Sequence, residues 1–215
     1  LTICNTGSAD TGVLELNGYT EVTYTAIGIA ADSSITLEDL TYNSDATGLG
    51  PDGEDATVNV DNCTVNTSGY CLGTNASGPE NYGVVITLTD SVFNGDTEHT
   101  GTAMYLNVPG TLHMDTCEVN GHFHGMFIRG GTAVIKNSTI TNTLDDGGQN
   151  SDYFDNRNWG TGNMVNLAAL TLGDKSAAGS TSYQYPTNVT LENTTVQMAG
   201  SAKDSYPAIY LYQMD

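Results

Sequence analysis

The chain has 215 residues, of which 38% are apolar, so it can bury one long hydrophobic core, and no linker divides it. Its 25 acidic and 5 basic residues give a formal net charge of −20, which should repel nucleic acid, anionic lipid and anionic polysaccharide. No apolar run approaches the roughly 20 residues of a transmembrane helix, and no basic segment opens the chain ahead of an apolar one. We therefore predict one domain over residues 1–215, with no membrane insertion and no signal peptide.

After a lead-in over residues 1–23, one pattern recurs in which two short strands of alternating apolar and polar residues flank a two-residue polar bend. The copies occupy residues 35–43, 58–66, 86–94, 112–120, 133–141 and 189–197. Most steps between copies are about 20 to 28 residues, a period typical of solenoids, whose units bury their apolar faces only against their neighbours. The last step is longer and corresponds to about two such units plus an inserted loop over residues 144–162.

The bend sets which side chains face the core. In the second copy, alternation places Val58 and Val60 on one face. The bend at Asp61 and Asn62 then resets the phase, so that Cys63 also faces inward. All the copies keep this register, which predicts one continuous core.

An amide or hydroxyl side chain closes each copy. The closing residues are Asn43, Asn66, Asn94, Asn120, Thr141 and Gln197. Amides in identical stacked positions can bond to one another, as they do in cross-β stacks. We therefore predict an asparagine ladder along a stacked turn, although Asn is also a common turn residue in its own right.

A further strand precedes the repeat. It is read at residues 26–29, 103–106, 125–128 and 208–211, with looser versions at 83–86 and 163–166. With about three strands a turn, residues 24–215 resemble the right-handed parallel β-helix, or pectin-lyase-like, superfamily, and are closest in character to surface adhesin and passenger domains. The resemblance implies an all-β, right-handed parallel β-helix of about seven rungs. Because such folds carry lyases, hydrolases, phage tailspikes and adhesins, the fold does not decide the function.

The cysteines are expected to be small core residues. Cys63 and Cys117 share one inward position two copies apart, which puts their Cα atoms about 9.6 Å from each other, too far for a disulfide. Cys71 is close enough in sequence to bridge Cys63, and Cys4 could tie down the N-terminal segment. One or two disulfides therefore remain open.

The hypothesis that the protein is an enzyme depends on polar residues that are spread along the sequence. The candidates are Asp145, Asp146, Asp152, His122, His124 and Arg129. Residues 121–125 and the paired aspartates resemble motifs of polygalacturonase-type glycoside hydrolases, but in that family the aspartates precede the histidine. A polysaccharide lyase would need a basic residue, and Arg129 could meet Arg157 if the insertion folds back. The alternative for the histidines is a solvent-exposed turn.

The inserted loop offers hard oxygen ligands. Asp145, Asp146, Asp152 and Asp155 lie at short spacing, as calcium requires, and Asp52, Glu54 and Asp55 form a second acidic loop. We nevertheless expect no cofactor and solvated carboxylates in both loops, with calcium as the alternative.

The recurring strands also predict an external aromatic stripe. Alternation places Tyr105, Phe127 and Tyr210 outward, and the insertion adds Tyr153, Phe154 and Trp159. Exposed aromatic patches tend to mark interaction sites, so these residues could stack on sugar rings or receive a protein. Alternatively, the insertion folds over the stripe and buries it.

The chain ends inside an apolar strand over residues 208–215 without an amphipathic cap. We expect either a fragment of a longer chain or end-to-end self-association through this last rung. These observations favour a secreted or cell-surface, non-catalytic module of the adhesin or stalk kind that binds a glycan or a host or surface protein. A carbohydrate-active enzyme and a structural assembly subunit are the alternatives.

Overall fold

The computed structural model describes residues 13–15, 21–23, 26–44, 47–51, 53–74, 83–95, 102–107, 110–121, 124–143, 168–173, 175–176, 184–200 and 206–212. These residues form three parallel sheets of seven strands each and one short antiparallel pair, with no helix among them. Strands are numbered β1 to β23 along the chain, and the parallel sheets are called A, B and C.

Each sheet takes one strand from every turn of the chain. Sheet A contains β1 (Val13–Glu15), β4 (Ser34–Glu38), β7 (Thr57–Asp61), β10 (Val84–Thr89), β13 (Gly110–Asp115), β16 (Gly131–Lys136) and β21 (Thr187–Glu192). Sheet B contains β2 (Glu21–Thr23), β5 (Thr41–Ser44), β8 (Thr64–Thr67), β11 (Val92–Asn94), β14 (Glu118–Gly121), β17 (Thr139–Asn142) and β22 (Thr195–Met198). Sheet C contains β3 (Ile27–Ile29), β6 (Leu49–Pro51), β9 (Leu72–Thr74), β12 (Thr102–Leu106), β15 (His124–Arg129), β18 (Leu170–Gly173) and β23 (Ile209–Tyr212). The antiparallel pair joins β19 (Lys175–Ser176) and β20 (Gln184–Tyr185).

The chain is a parallel β-helix of about seven rungs, as predicted. Every strand of a sheet pairs in parallel with its counterpart one turn away. In sheet A one continuous register aligns Leu37, Val60, Leu88, Met114, Ile135 and Leu191. This is the alignment that the sequence repeat indicated, except that the last step was expected to be about two units, whereas Ile135 and Leu191 lie on adjacent strands and the step is a single rung with an insertion.

The core runs along the coil as stacked columns of inward side chains. In sheet B the inward column includes Tyr42, Val65, Phe93, Val119 and Ile140, all fully buried. Alternation of buried and half-buried residues along β4, β7 and β10 matches the period of two expected of a sheet with one face on the core. Each unit is therefore stabilised by its neighbours rather than by a core of its own.

The bend between sheets A and B has a left-handed backbone at its second residue. Positive φ angles between 47° and 55° occur at Asp39, Asn62, Asp90, Thr116, Asn137 and Asn193. Asn and Asp tolerate this conformation better than other residues with a Cβ, which explains why they occupy all but one of these positions. The left-handed residue turns the chain from one sheet to the next, so the predicted phase reset has a backbone cause.

The asparagine ladder is confirmed. The Asn66 amide donates to Asn43 Oδ1 at 2.9 Å, that of Asn94 to Asn66 at 2.9 Å, and that of Asn120 to Asn94 at 3.0 Å. The ladder runs along the outward face of the strands of sheet B rather than along a turn. Farther along the coil the Gln197 amide continues it by donating to Thr141 Oγ1 at 3.2 Å.

A second ladder, which was not predicted, follows the bend. The Asn62 amide donates to Asp39 Oδ1 at 2.7 Å, and the Asn193 amide donates to Asn137 Oδ1 at 2.9 Å. At Thr116 the column is broken, and the Asn137 amide donates instead to Asp115 Oδ1 at 2.8 Å. That hydrogen bond is the main reason why the pKa of the Asp115 carboxyl is lowered.

Some of the strands predicted for sheet C lie elsewhere in the structure. Residues 84–86, one of the looser copies, belong to β10 of sheet A, and the third strand of that rung is β9. β6 and β9 were missed because each has a Gly at its outward position and β6 ends in Pro, which weakens the strand signal. The other looser copy, 163–166, lies outside the described residues.

The strands of sheets A and B begin before residue 24, where the sequence predicted only a lead-in, because β1 and β2 already pair with β4 and β5.

Three of the cysteines are buried free thiols: Cys63, Cys71 and Cys117. The Cys63 backbone N–H donates to Ser91 Oγ at 3.0 Å, which confirms that a serine separates the two stacked cysteines. No bridge joins Cys63 to Cys71, and Cys4 lies outside the described residues.

Candidate functional site

The outward face of sheet C changes character along the coil. Its equivalent outward residues are Gly28, Gly50, Gly73, Tyr105, Phe127, Thr171 and Tyr210. The first three rungs therefore carry no side chain on this face, whereas the next two carry aromatic rings. The sequence predicted the aromatic rings but not the bare glycine floor beside them.

Tyr70 extends the aromatic stack by one rung. It comes from the corner ahead of β9, and its ring lies over Gly73, where an added Cβ would meet Tyr70 Cδ2 at 3.1 Å. Its ring centroid lies 5.5 Å from that of Tyr105, with 24° between the planes, and Tyr105 lies 5.4 Å from Phe127 at 5°. We call Tyr70, Tyr105 and Phe127 the ring ladder.

A groove of about 330 Å³ lies over the glycine floor and ends at the ring ladder. Its lining residues are Ala26, Ile27, Gly28, Thr47, Gly50, Tyr70, Gly73 and Tyr105. None of them is charged. We call this space the sheet C groove, and its uncharged, partly aromatic lining suits a neutral ligand with an apolar face.

The groove exists because its floor is glycine. A Cβ placed on Gly28 would meet no atom within 4 Å, so a side chain there would project into open space. Extended strands normally favour branched or aromatic residues, and glycine weakens them. Gly28 therefore reduces local strand stability and leaves room on the surface, whereas Gly50 is buried.

Tyr105 points outward as predicted, but only 3% of it is exposed. Burial raises the pKa of its phenol, and the charge of Arg129 and a hydrogen bond with it act in the opposite direction. Arg129 is itself 5% exposed and donates from Nη1 to Asn107 Oδ1 at 3.1 Å. Arg129 thus holds the middle ring of the ladder in place.

The predicted stripe is not continuous. Phe127 is half-buried and stacks on Tyr105, whereas Tyr210 lies two rungs farther on, with Thr171 between them. The structure therefore brings Tyr105 and Phe127 together and leaves Tyr210 apart. Tyr70 was missed because it lies in a corner outside the repeated pattern. Tyr153, Phe154 and Trp159 lie outside the described residues.

Most of the candidate catalytic and calcium-binding residues also lie outside the described residues: His122, Asp145, Asp146, Asp152 and Asp155. His124 begins β15 and Arg129 ends it, so their Cα atoms are about 16 Å apart along the strand. In the second acidic loop Glu54 and Asp55 are exposed, and Asp52 is outside the described residues. Across the described ranges, no three His, Cys, Asp or Glu residues are grouped closely enough to hold a metal ion.

The buried thiols are poorly suited to nucleophilic chemistry. Burial raises the pKa of Cys71 to about 12 and that of Cys117 to about 11, and it also raises that of Cys63. The reactive form of cysteine is the thiolate, which these environments disfavour at neutral pH.

No protein-family model matches the chain, and comparisons with curated proteins and with solved structures found no match. In the part of the chain that the structure describes, no helix has the length and apolar character needed to cross a membrane. The sheet C groove and its ring ladder are therefore the features from which a function can be argued.

Proposed function

We propose that this protein is a non-catalytic binding module, of the adhesin or stalk kind, that takes a neutral glycan in the sheet C groove. The proposal rests mainly on one observation. The described residues that line the groove are uncharged, and the groove ends at the stacked rings of Tyr70 and Tyr105. As part of the same proposal, the protein is secreted or lies at the cell surface and belongs to the pectin-lyase-like superfamily.

The chemistry of the groove supports a sugar over other ligands. Aromatic rings offer large, rigid contact faces, and the apolar C–H face of a pyranose can lie on them. The Thr47 side chain and the edges of the groove supply polar partners for sugar hydroxyls. A net charge of −20 disfavours uronates and other anionic polymers, because none of the described residues that line the groove is basic and could offset the repulsion.

The Gly28→Val variant tests the proposal. The valine Cβ would meet no atom within 4 Å, and its methyl groups would occupy part of the groove, so the variant should weaken binding of neutral oligosaccharides by roughly tenfold or more. The melting temperature should stay equal or rise, because valine favours strands. Binding is measured by calorimetry with neutral gluco-, galacto- and manno-oligosaccharides, with oligogalacturonate as the anionic comparison.

Thr36→Val is the matched control, because it also places a valine on the outward face of a strand, but in sheet A away from the groove. It should leave binding unchanged. The proposal is wrong if the wild-type protein binds none of the neutral sugars, or if Gly28→Val and Thr36→Val bind equally well.

A second candidate is an assembly subunit. The strands β21, β22 and β23 are the last of their sheets in the described chain, and inward-facing side chains of that rung are exposed. Leu211 is 61% exposed, Ile209 43% and Leu191 36%. Exposed apolar side chains on the core side of a rung favour packing against another rung, which supports end-to-end self-association.

A further inference from the structure

We infer that Asn94 and Asn120 are conditional modification sites: the closed coil keeps their side chains from deamidation, and they lose ammonia when the rungs of β11 and β14 open. Each is followed by a glycine, Gly95 and Gly121 respectively. Deamidation meets the least steric hindrance at an Asn–Gly dipeptide, because glycine has no side chain beside the attacking backbone nitrogen.

The reaction needs only atoms of the chain and water. The Gly95 nitrogen forms a bond with Asn94 Cγ, and the side-chain amino group leaves with the proton of that nitrogen as ammonia. The product is a cyclic imide. Water then adds to one of the two imide carbonyls and breaks its bond to nitrogen, which gives either aspartate or isoaspartate. Isoaspartate has one additional carbon in the main chain.

The closed coil opposes the first step at Asn94 in three ways. The Gly95 N–H donates to Asn120 O at 2.9 Å, so the attacking nitrogen is held in a hydrogen bond. The Asn94 side chain donates to Asn66 Oδ1 at 2.9 Å and accepts from the Asn120 amide at 3.0 Å, which fixes it in the ladder. Parallel pairing on both sides of β11 also holds the backbone extended, and the imide ring closes only if Asn94 leaves that conformation.

The second site is held in the same way. The Asn120 amide donates to Asn94 Oδ1, and Asn120 and Gly121 pair in parallel with Thr141 and Asn142 of the next rung. Gly121 is buried. Both dipeptides therefore lie within paired strands, and neither can react before its rung opens.

Packing explains why a labile dipeptide occurs at positions 94 and 95. A Cβ on Gly95 would meet Ala103 Cα at 2.7 Å and the Ala103 nitrogen at 2.9 Å, so glycine is the residue that fits. Asn94 is in turn required by the ladder, where it has an amide partner on both sides. Each residue answers a separate contact, and together they form a dipeptide that persists only while the coil is closed.

Deamidation would prevent the rung from closing again. A carboxylate at position 94 has no N–H to donate to Asn66 Oδ1, so one hydrogen bond of the ladder is lost and a negative charge faces an oxygen. The additional main-chain carbon of isoaspartate would also shift Gly95 out of its pairing with Asn120. A transient opening would thus become a permanent loss of the rung.

The first test compares the wild-type protein in buffer with the same protein unfolded in guanidinium chloride, both at mildly alkaline pH. Mass spectrometry of proteolytic peptides follows each asparagine over time. In denaturant Asn94 and Asn120 should convert, while two ladder asparagines that no glycine follows, Asn43 and Asn66, persist. In the folded protein Asn94 and Asn120 should convert at least roughly a hundredfold more slowly, because reaction waits for opening.

The second test weakens the ladder beside one site. Asn66→Ala removes the acceptor of the Asn94 amide, so Asn94 should deamidate roughly fivefold faster in this folded variant, as expected for the loss of one hydrogen bond. Asn59→Ala is the control, because Asn59 stacks between Thr36 and Thr87 rather than between amides. It should keep the wild-type rate.

Equal rates at Asn94 in the folded and the unfolded wild-type protein would overturn the inference. So would an Asn66→Ala variant that circular dichroism shows to be folded and that keeps the wild-type rate. A third measurement refolds protein whose Asn94 has been converted in denaturant. This fraction should melt at a lower temperature than unmodified protein carried through the same steps, and equal melting temperatures would contradict the permanent loss of the rung.

Discussion

Thr116 shows how strongly a single backbone position constrains the residue that fills it. Among the described bend residues with positive φ, it alone is β-branched, and its φ of 55° is the left-handed region that such side chains disfavour. Its hydroxyl donates to Asp115 Oδ1 at 3.1 Å, which offsets part of that cost. The other positions use Asn or Asp, so the position selects the residue type.

We predict that Thr116→Asn raises the free energy of unfolding by about 1 kcal/mol, because it removes a β-branched residue from a left-handed conformation. The new amide could also join the broken ladder beside Asn137. Urea denaturation of the variant and the wild type measures the change.

Thr64→Asn is the matched control, since it makes the same chemical change at an outward strand position of β8. Asn is depleted in strands, so this variant should be less stable than the wild type. A Thr116→Asn protein that is equally stable or less stable than wild type would contradict the backbone argument.

At the level of single residues, the sequence predicted the inward positions but not the backbone angles. The polar bend at Asp61 and Asn62 indicated a change of phase, yet nothing in the pattern distinguished the first bend residue from the second. Tyr70 could not be found by periodicity, because its ring reaches the rung of Gly73 from a corner. Contacts made across a corner depend on three-dimensional placement, which a repeat alone does not contain.

At the level of strands, the ladders decide how firmly neighbouring rungs are held. Asn94 donates to Asn66 and accepts from Asn120, so it has an amide partner on both sides. Partly buried amides that lose a partner give up stability, because water replaces the lost bond only in part.

We therefore predict that Asn94→Ala lowers the free energy of unfolding by about 1 to 2 kcal/mol, since it leaves two amides without their ladder partner. Asn59→Ala serves as the comparison, because Asn59 is outward on β7 between Thr36 and Thr87 and has no stacked amide. It should cost less than about 0.5 kcal/mol. Equal losses in urea denaturation would show that the ladder adds no stability.

Most strands of sheets A and B could be predicted because inward apolar residues alternate with polar ones on both sides of the polar bend, as in Thr57–Asp61 and Thr64–Thr67. The strands of sheet C were harder to recognise, because glycine occupies the outward position in some of them, as in Leu49–Pro51 and Leu72–Thr74. The features that make the candidate site are thus the ones that weakened its sequence signal. Local rules fail most readily where a surface is shaped for binding.

At the level of the whole molecule, the exposed inward side chains of β21 and β23 support the assembly proposal. Leu211 faces the core side of the last rung and is 61% exposed, so Leu211→Lys should reduce end-to-end contacts by placing a charge on an apolar edge. Sedimentation velocity over a range of protein concentrations measures this.

Tyr210→Lys is the control, because Tyr210 lies on the outward face of the same strand. It should associate as the wild type does. A wild-type protein that stays monomeric at every concentration, or a Leu211→Lys variant that associates equally, would contradict the assembly proposal.

The stacking of rungs has a consequence for how the chain folds. Every strand of sheets A, B and C pairs with a partner one turn away, but the turn from β16 to β21 contains the inserted region and is therefore longer in sequence, with Gly131 opposite Thr187. Closing a longer loop costs more chain entropy, by about 0.6 kcal/mol for each doubling of its length. In a quasi-linear array, order spreads from rung to rung. We therefore expect the strands up to β17 to form as one cooperative block, and β18 and the rung of β21, β22 and β23 to join it in a later and slower kinetic phase.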